Sequence, residues 1–428
     1  SKYLLSVMSS VNLHHHSSPV KIKPISTGAD ISLVDYIAKK CPSLVGPNAY
    51  FSPTPYLANG HLQTMWAAYY NATEIHNKID YERQRVSTDD GGNFTLDWTP
   101  PFSEKPVDNT PTLVVLHGLT GGSHESYIRA LLAVVTKAPF NYRAVVFNAR
   151  GCANSEVTSP RLFNGAHTDD LKIALSAIQE KLGSSTPLVG IGFSLGSNIL
   201  VKVINKFLRS DITSHSLPSS NQYLGEEGSN TPLIAGISVG NPFDFLCSGL
   251  YLDRTWFRKT IYSGTMAKSL KRAFNKHASI LAKHPAVDVD KVQQAQTIRE
   301  FDDEVTRKMF NYDTVNDYYR DASSSVVIKN VKIPLLCFNA LDDPISPLES
   351  IPYDEIKINP NVVLATTQHG GHLGWFEGIW SPTRWIVKPL AEFIVAMFEA
   401  YDENAAARDD ELTPAIIDDA VDAAQAQE

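Results

Sequence analysis

Short, near-continuous apolar runs alternate with segments of helical periodicity through the middle of the chain. Leu113–Leu116, Ala144–Phe147, Leu188–Ile191 and Leu233–Val239 have strand length and few polar interruptions. A strand with one wet face would alternate, so these runs predict strands covered on both sides. Between them the spacing predicts a helix from about His124, one near Asp169–Leu182, and one after Ser194. In the last, Ile199, Leu200, Val203, Ile204 and Phe207 fall on one face. Upstream, Tyr81 to Trp98 reads as two short strands around a turn at Asp89-Asp90-Gly91-Gly92. Strand signals stop between about Asn241 and Ser325. They resume at Leu335–Phe338 and Val362–Ala365, before a last helix near Thr383–Phe398. The alternation predicts an α/β fold: a mostly parallel central sheet with helices on both faces.

The interruption then reads as a helical cap inserted above the sheet's C-terminal edge. Thr297-Ile298-Arg299-Glu300 inside it has the form of a capping box. This divides the chain into an N-terminal extension (1–75), a core (76–240 and 326–400), a cap (241–325) and an acidic tail (401–428). The extension shows no repeat. Its His14-His15-His16 run reads as a mobile tail, because three adjacent histidines cannot all face one metal ion.

Composition narrows the classes. At 43% hydrophobic residues the chain has the content of a soluble globular protein, and no apolar run is long enough to span a bilayer. Ser1–Val7 lacks the apolar core of a signal peptide. Cys41, Cys152, Cys247 and Cys337 are scattered without metal-type spacing, so free thiols in a reducing, cytoplasmic setting are expected. Cys152 follows Arg150-Gly151 in a loop, where a reactive thiol is one reading and a bland small residue the plainer one. The net charge of −8 equals that of the tail, where nine acidic residues face one arginine; the body is near neutral, which excludes a strongly basic nucleic-acid binder. The tail itself reads as a solvated helix or a disordered segment. From Leu252 to Lys283 the cap carries eight Lys or Arg against one Asp, with Trp256, Phe257, Tyr262 and Phe274 interspersed. A solvated basic face is the plain reading. The same pattern is compatible with an anionic lipid surface, a lipid droplet or an acyl-CoA phosphate.

Chemistry enters at Gly192-Phe193-Ser194-Leu195-Gly196. A strand, a glycine-flanked serine and a helix are what a nucleophile elbow requires, since small residues let the chain turn sharply and leave the hydroxyl free. The same pentapeptide pattern recurs at Gly236-Ile237-Ser238-Val239-Gly240, but Asn241-Pro242 follows it, and a proline disfavours helix just before itself. Ser238 therefore reads as the end of a core strand, and Ser194 as the nucleophile.

A serine hydroxyl needs a base, and the base needs a carboxylate to fix its tautomer. The expected chain order is Ser, acid, His. Past the Leu335–Phe338 strand, Asp342 and Asp343 are adjacent candidates; the usual turn places the acid four residues before a proline, favouring Asp343 relative to Pro347. His369 and His372 compete next, with His372 favoured by the preceding glycine pair, which brings the loop close to the serine. Oxyanion donors are expected from the Leu195 amide and, in the His117–Gly122 loop, the Leu119 amide.

The segments His117–Glu125, Asn148–Ser155 and Gly370-Gly371-His372-Leu373-Gly374 together resemble the AB-hydrolase-4 family of the α/β-hydrolase superfamily. Within it, the fungal medium-chain fatty acid ethyl ester synthase/esterases (ethanol O-acyltransferases) are the most similar in pattern. Tyr56–Thr64, Leu224–Gly228, Asn241–Asp244 and Arg299–Asp302 fit the same family, and the likeness runs from roughly residue 50 to 400. It implies an α/β-hydrolase fold with Ser194, Asp343 and His372 as a triad. It also implies acyl-ester substrates: medium-chain ethyl esters and monoacylglycerols in fungal relatives, phospholipids and acylglycerols in animal ones. The Arg150–Ser155 and Asn59–Thr64 stretches receive no chemical role and read as packing near the site.

The expected reaction is acyl transfer through an acyl-enzyme, from an acyl ester or acyl-CoA to an alcohol or water, with no metal or redox cofactor. A monoacylglycerol lipase or phospholipase at a lipid surface shares that chemistry. A non-catalytic scaffold binding a lipid or a partner is the alternative of another class; a missing triad member would favour it.

Overall fold

The apolar runs become strands of one nine-stranded sheet in the computed structural model, which describes residues 8–73, 77–213, 231–401 and 412–426. Leu224–Gly228, the Phe207 side chain and residues 402–411 of the acidic tail lie outside the described residues. In chain order the strands are β1 (Asn12–His15), β2 (Glu82–Ser87), β3 (Asn93–Thr99), β4 (Thr112–Leu116) and β5 (Arg143–Asn148). They continue as β6 (Leu188–Phe193), β7 (Leu233–Val239), β8 (Leu335–Ala340) and β9 (Val362–Thr367). The spatial order is β1-β9-β8-β7-β6-β4-β5-β3-β2. From β9 to β5 all pairings are parallel; β1, β3 and β2 are joined antiparallel at the two edges. This is the α/β-hydrolase arrangement, with the expected hairpin formed by β2 and β3.

Every residue of β4 to β6 is buried, and successive side chains enter opposite layers. Val189, Ile191 and Phe193 of β6 pack on one face with the Ser126–Val135 and Val387–Tyr401 helices. Leu188 packs on the other, with the Asp169–Leu182 helix and with Leu200, Val203 and Ile204 of the Leu195–Thr213 helix. Burying an aliphatic or aromatic side chain of this kind contributes about 1.5–3 kcal/mol, so two full layers hold the sheet from both sides.

Two expectations change. The His14–His16 run is no mobile tail: Leu13 to His15 pair with β9, and His14 Nε2 lies 3.2 Å from Thr366 Oγ1. The segment before residue 75 also adds Leu33, Tyr36, Ile37, Leu44 and Phe51 to the core. Nor is the tail simply solvated, because its Pro414–Gln425 helix buries Ile417 and Val421 against the same layer.

Residues 241–325 form short helices, with no strand among them. Their Leu270, Phe274, Leu281, Val292, Phe301 and Val305 form a small core together with Val157 and Leu162. The Thr297 cap is half of the expected box. Thr297 Oγ1 accepts from the Glu300 amide at 3.2 Å, whereas the Glu300 carboxylate takes the Gln296 amide instead of closing back on Thr297.

After β4 the chain crosses to β5 on one side and then to β6 on the other. The crevice at such a switch, outside the strands' carboxyl ends, is where open α/β sheets bind ligands. Ser194, the His117–Gly122 loop and the cap all meet there.

Candidate active site

The elbow is built by close approach. A Cβ on Gly192 would sit 2.5 Å from the Gly196 carbonyl, and one on Gly196 would sit 2.5 Å from the His117 carbonyl oxygen. With both glycines in place, Ser194 adopts φ +52° at the junction of β6 and its helix, and its amide donates to the Val239 carbonyl at 2.8 Å. A left-handed conformation at a non-glycine residue costs roughly 1–3 kcal/mol and persists where surrounding structure enforces it. Ser238, by contrast, is fully buried within β7, and its hydroxyl accepts from Asn241 Nδ2 at 3.1 Å.

The loop after β9 brings His372 to the serine. Its Nε2 is 2.8 Å from Ser194 Oγ, and its Nδ1 is 2.8 Å from Asp343 Oδ2. Asp343, in the turn after β8, is 1% exposed, and its other oxygen accepts the Ile345 and Ser346 amides, both at 2.8 Å. The carboxylate is thus aimed at the imidazole by backbone donors.

The other two candidates found each other. Asp342 Oδ2 lies 3.0 Å from His369 Nδ1, and its Oδ1 accepts the Gly371 amide at 2.9 Å. The pair does not reach Ser194; it ties the β8 turn to the loop that carries His372.

Two more side chains hold that loop, both from a stretch left without a role. Thr64 Oγ1 accepts the His372 amide at 2.8 Å and donates to the Gly60 carbonyl at 2.6 Å. Gln63 Oε1 accepts the Phe376 amide, while its Nε2 donates to the Leu57 and Phe376 carbonyls. Gly371, at φ +57°, comes so close to this helix that a Cβ would lie 2.4 Å from the Gly60 oxygen. The Asn59–Thr64 stretch is therefore a brace for the histidine loop, some 300 residues away in sequence. Arg150 braces differently: its guanidinium is buried between Asp170 and Asp90, and both carboxyls are held below their ordinary range. Burial raises the Cys152 thiol far above its ordinary range, so it is no thiolate nucleophile.

Leu119 and Leu195 both line the cavity into which Ser194 opens, and neither amide has an acceptor among the described residues. The loop bearing Leu119 is fixed on both sides. The Gly118 amide donates to Tyr127 Oη at 2.9 Å, and His117 Nε2 accepts the Ala149 amide at 3.1 Å. Burial pushes His117 down to about 4, so it stays neutral with its proton on Nδ1, where it donates to the Gly118 carbonyl. Nothing in the sequence marked Tyr127.

The cavity holds about 730 Å³ of empty space counted out through its mouth. Phe163, Phe245, Leu252, Met266, Leu270 and Ile298 make its wall mainly apolar, most of them from the cap. One carboxyl, Asp302, enters it, accepting from Thr306 Oγ1 at 2.6 Å and Tyr319 Oη at 3.0 Å; burial pushes it up to about 6. An apolar slot beside a hydroxyl, an imidazole and two free amides suits an apolar ligand with a polar end at Ser194.

Fold and site together define an α/β-hydrolase. The α/β-hydrolase fold profile matches residues 111–211. Phospholipase ABHD3 of Homo sapiens is 34% identical over 90% of this chain and 87% of its own length. A monoacylglycerol lipase of Saccharomyces cerevisiae is 31% identical over 85% and 84%. From the same yeast, medium-chain fatty acid ethyl ester synthase/esterase 2 is 27% identical over 86% and 90%. The chain belongs to the α/β-hydrolase family and is a hydrolase. Among the described residues no helix is long and apolar enough to cross a membrane.

Proposed function

We propose that this protein is a serine-dependent acyl-ester hydrolase and acyltransferase with Ser194 as nucleophile, His372 as base and Asp343 as its orienting acid. The observation that carries this is the Ser194–His372–Asp343 hydrogen-bond chain, with Ser194 on the wall of an apolar cavity. His372 Nε2 accepts the Oγ proton as Ser194 attacks the carbonyl carbon, and Asp343 stabilises the imidazolium through Nδ1–H. The Leu119 and Leu195 amides receive the negative charge developing on the carbonyl oxygen. His372 then hands its proton to the departing alkoxide or thiolate, leaving the acyl group on Oγ. Water or an alcohol, deprotonated by the same imidazole, attacks the acyl-enzyme and regenerates the serine.

Medium-chain acyl groups, carried as ethyl esters or acyl-CoA, are one substrate reading, supported by the yeast ethyl ester synthase/esterase among the relatives. Monoacylglycerol hydrolysis is a second, supported equally by the yeast monoacylglycerol lipase. Supplying octanoyl-CoA with increasing ethanol separates them: ethyl octanoate formed above the ethanol-to-water mole ratio identifies an acceptor site for alcohol. Octanoic acid alone, with rapid cleavage of monooctanoylglycerol, identifies the lipase. Ser194→Ala should lower either rate by about three orders of magnitude or more while the fold stays intact; a variant retaining full rate would remove Ser194 from the mechanism.

A further inference from the structure

The chain has no Asp, Glu, Lys or Arg from Cys41 to Thr73, and that uncharged stretch ends in a surface helix, Gly60–Thr73. Leu62, Met65 and Tyr69 lie exposed on one side of it at spacings of three and four. The face continues at both ends. Trp66 packs between Tyr56 and Tyr69, and Tyr56 Oη donates to the Ile379 carbonyl, beside a Trp380 that is 95% exposed. In the other direction, His61 Nδ1 lies 2.6 Å from Tyr262 Oη and its ring meets Phe257 edge-on, next to a Trp256 that is 77% exposed. Single exposed apolar residues need no explanation, but a connected row of aromatic and aliphatic side chains does.

The row runs beside the site. Thr64, on the same helix as Leu62 and Met65, holds the His372 amide, and Leu252, two residues from the exposed Leu250, lines the cavity. Cations stand at the cap end: Arg254 and Lys259 are exposed and Arg258 lies over the Tyr251 ring, against one half-buried Asp253 and a Glu349 that is 3.6 Å from Arg254. Trp and Tyr with an adjoining Lys/Arg cluster is the composition that settles at a lipid–water interface. A lipid surface with anionic headgroups matches this composition on both counts, apolar and aromatic side chains for the acyl region and cations for the headgroups.

We infer that this belt docks the enzyme on a lipid surface bearing anionic headgroups, seating the mouth against the acyl chains. The inference rests on the proposed acyl-ester chemistry for its substrate and on the belt alone for its binding. Phosphatidylcholine vesicles with and without phosphatidylserine, at about a 4:1 ratio, test it by co-sedimentation. The wild-type protein should bind the anionic vesicles, and Trp256→Ala with Trp380→Ala should weaken binding at least about tenfold. That variant should cleave soluble p-nitrophenyl butyrate at the wild-type rate while losing turnover of vesicle-borne ester. Arg254→Gln with Lys259→Gln should abolish the preference for phosphatidylserine, as should high salt.

Equal binding by wild type and the double tryptophan variant overturns the inference, as does failure of the wild type to bind either vesicle. A dimer that the tryptophan changes dissolve, without vesicle binding, assigns the belt to a second copy and overturns it too. Loss of p-nitrophenyl butyrate cleavage from the wild type, with vesicle binding intact, would sink the catalytic proposal and leave the docking surface standing.

Discussion

Asp342 and Asp343 are neighbours with the same chemistry, so converting each to Asn separates orientation of the base from bracing of its loop. In Asp343→Asn, Oδ1 can still accept the Ile345 and Ser346 amides, which holds the turn and keeps the fold. The amide nitrogen then faces His372 Nδ1, where the carboxylate oxygen stood at 2.8 Å. It can only donate, so the imidazole must accept at Nδ1 and carry its proton on Nε2. That proton points at Ser194 Oγ, and the base is lost. The cost of this wrong tautomer is about four decades in kcat, or about 5.4 kcal/mol at 1.36 kcal/mol per decade. Asp342→Asn keeps an acceptor for the Gly371 amide and gives up only the contact with His369. Both partners are partly solvated, so the loss is at most about 1 kcal/mol and about fivefold in rate. Hydrolysis of p-nitrophenyl octanoate, with thermal unfolding as a control, gives both numbers. Comparable losses in the two variants, at unchanged melting temperature, would refute the assignment of Asp343 as the orienting acid.

Thr64→Val removes the acceptor for the His372 amide and should lower kcat about tenfold with little change in KM, while Thr64→Ser restores it; an unchanged kcat would mean the loop holds itself. Gly196→Ala places a methyl group 2.5 Å from the His117 carbonyl oxygen and should cost about 3 kcal/mol or more of stability, read as a fall in melting temperature. Burial raises the Asp302 carboxyl to about 6, so the folded protein holds a proton there that the unfolded chain releases near its ordinary value of about 4. Stability from this group is complete below that lower value and is lost as pH rises through about 6. Asp302→Asn should therefore flatten the decline in melting temperature across that window, and an unaltered slope would point to another group.

The sheet was legible because strands buried on both faces are mostly apolar, and in β4 to β9 the polar residues, such as Arg143, Asn148 and Asn339, fall mainly near the strand ends and leave the apolar runs intact. The elbow was legible for a local reason as well: close approach demands glycine at 192 and 196, and Pro242 marks the second pentapeptide as a strand end. The order of the candidate serine, acid and histidine was expected from the α/β-hydrolase template, and all three lie just past the carboxyl ends of β6, β8 and β9. Other parts carry no local signature. β1 pairs through backbone groups that every residue possesses, so His14 and His15 on a sheet edge look like part of any polar tail.

Thr64, Gln63 and Tyr127 act on the site through side-chain hydrogen bonds to backbone groups of other segments, contacts that any threonine, glutamine or tyrosine could make. The pairing of Asp342 with His369 is of the same kind, decided by which way two adjacent side chains leave one turn. Periodicity, glycine and proline report on a residue's own backbone and its immediate neighbours, and so the chain alone determined the layers, the elbow and the candidate reacting groups. Which distant groups hold those reacting atoms in line, and where the apolar belt falls around the cavity, depended on how the packed layers bring remote segments together.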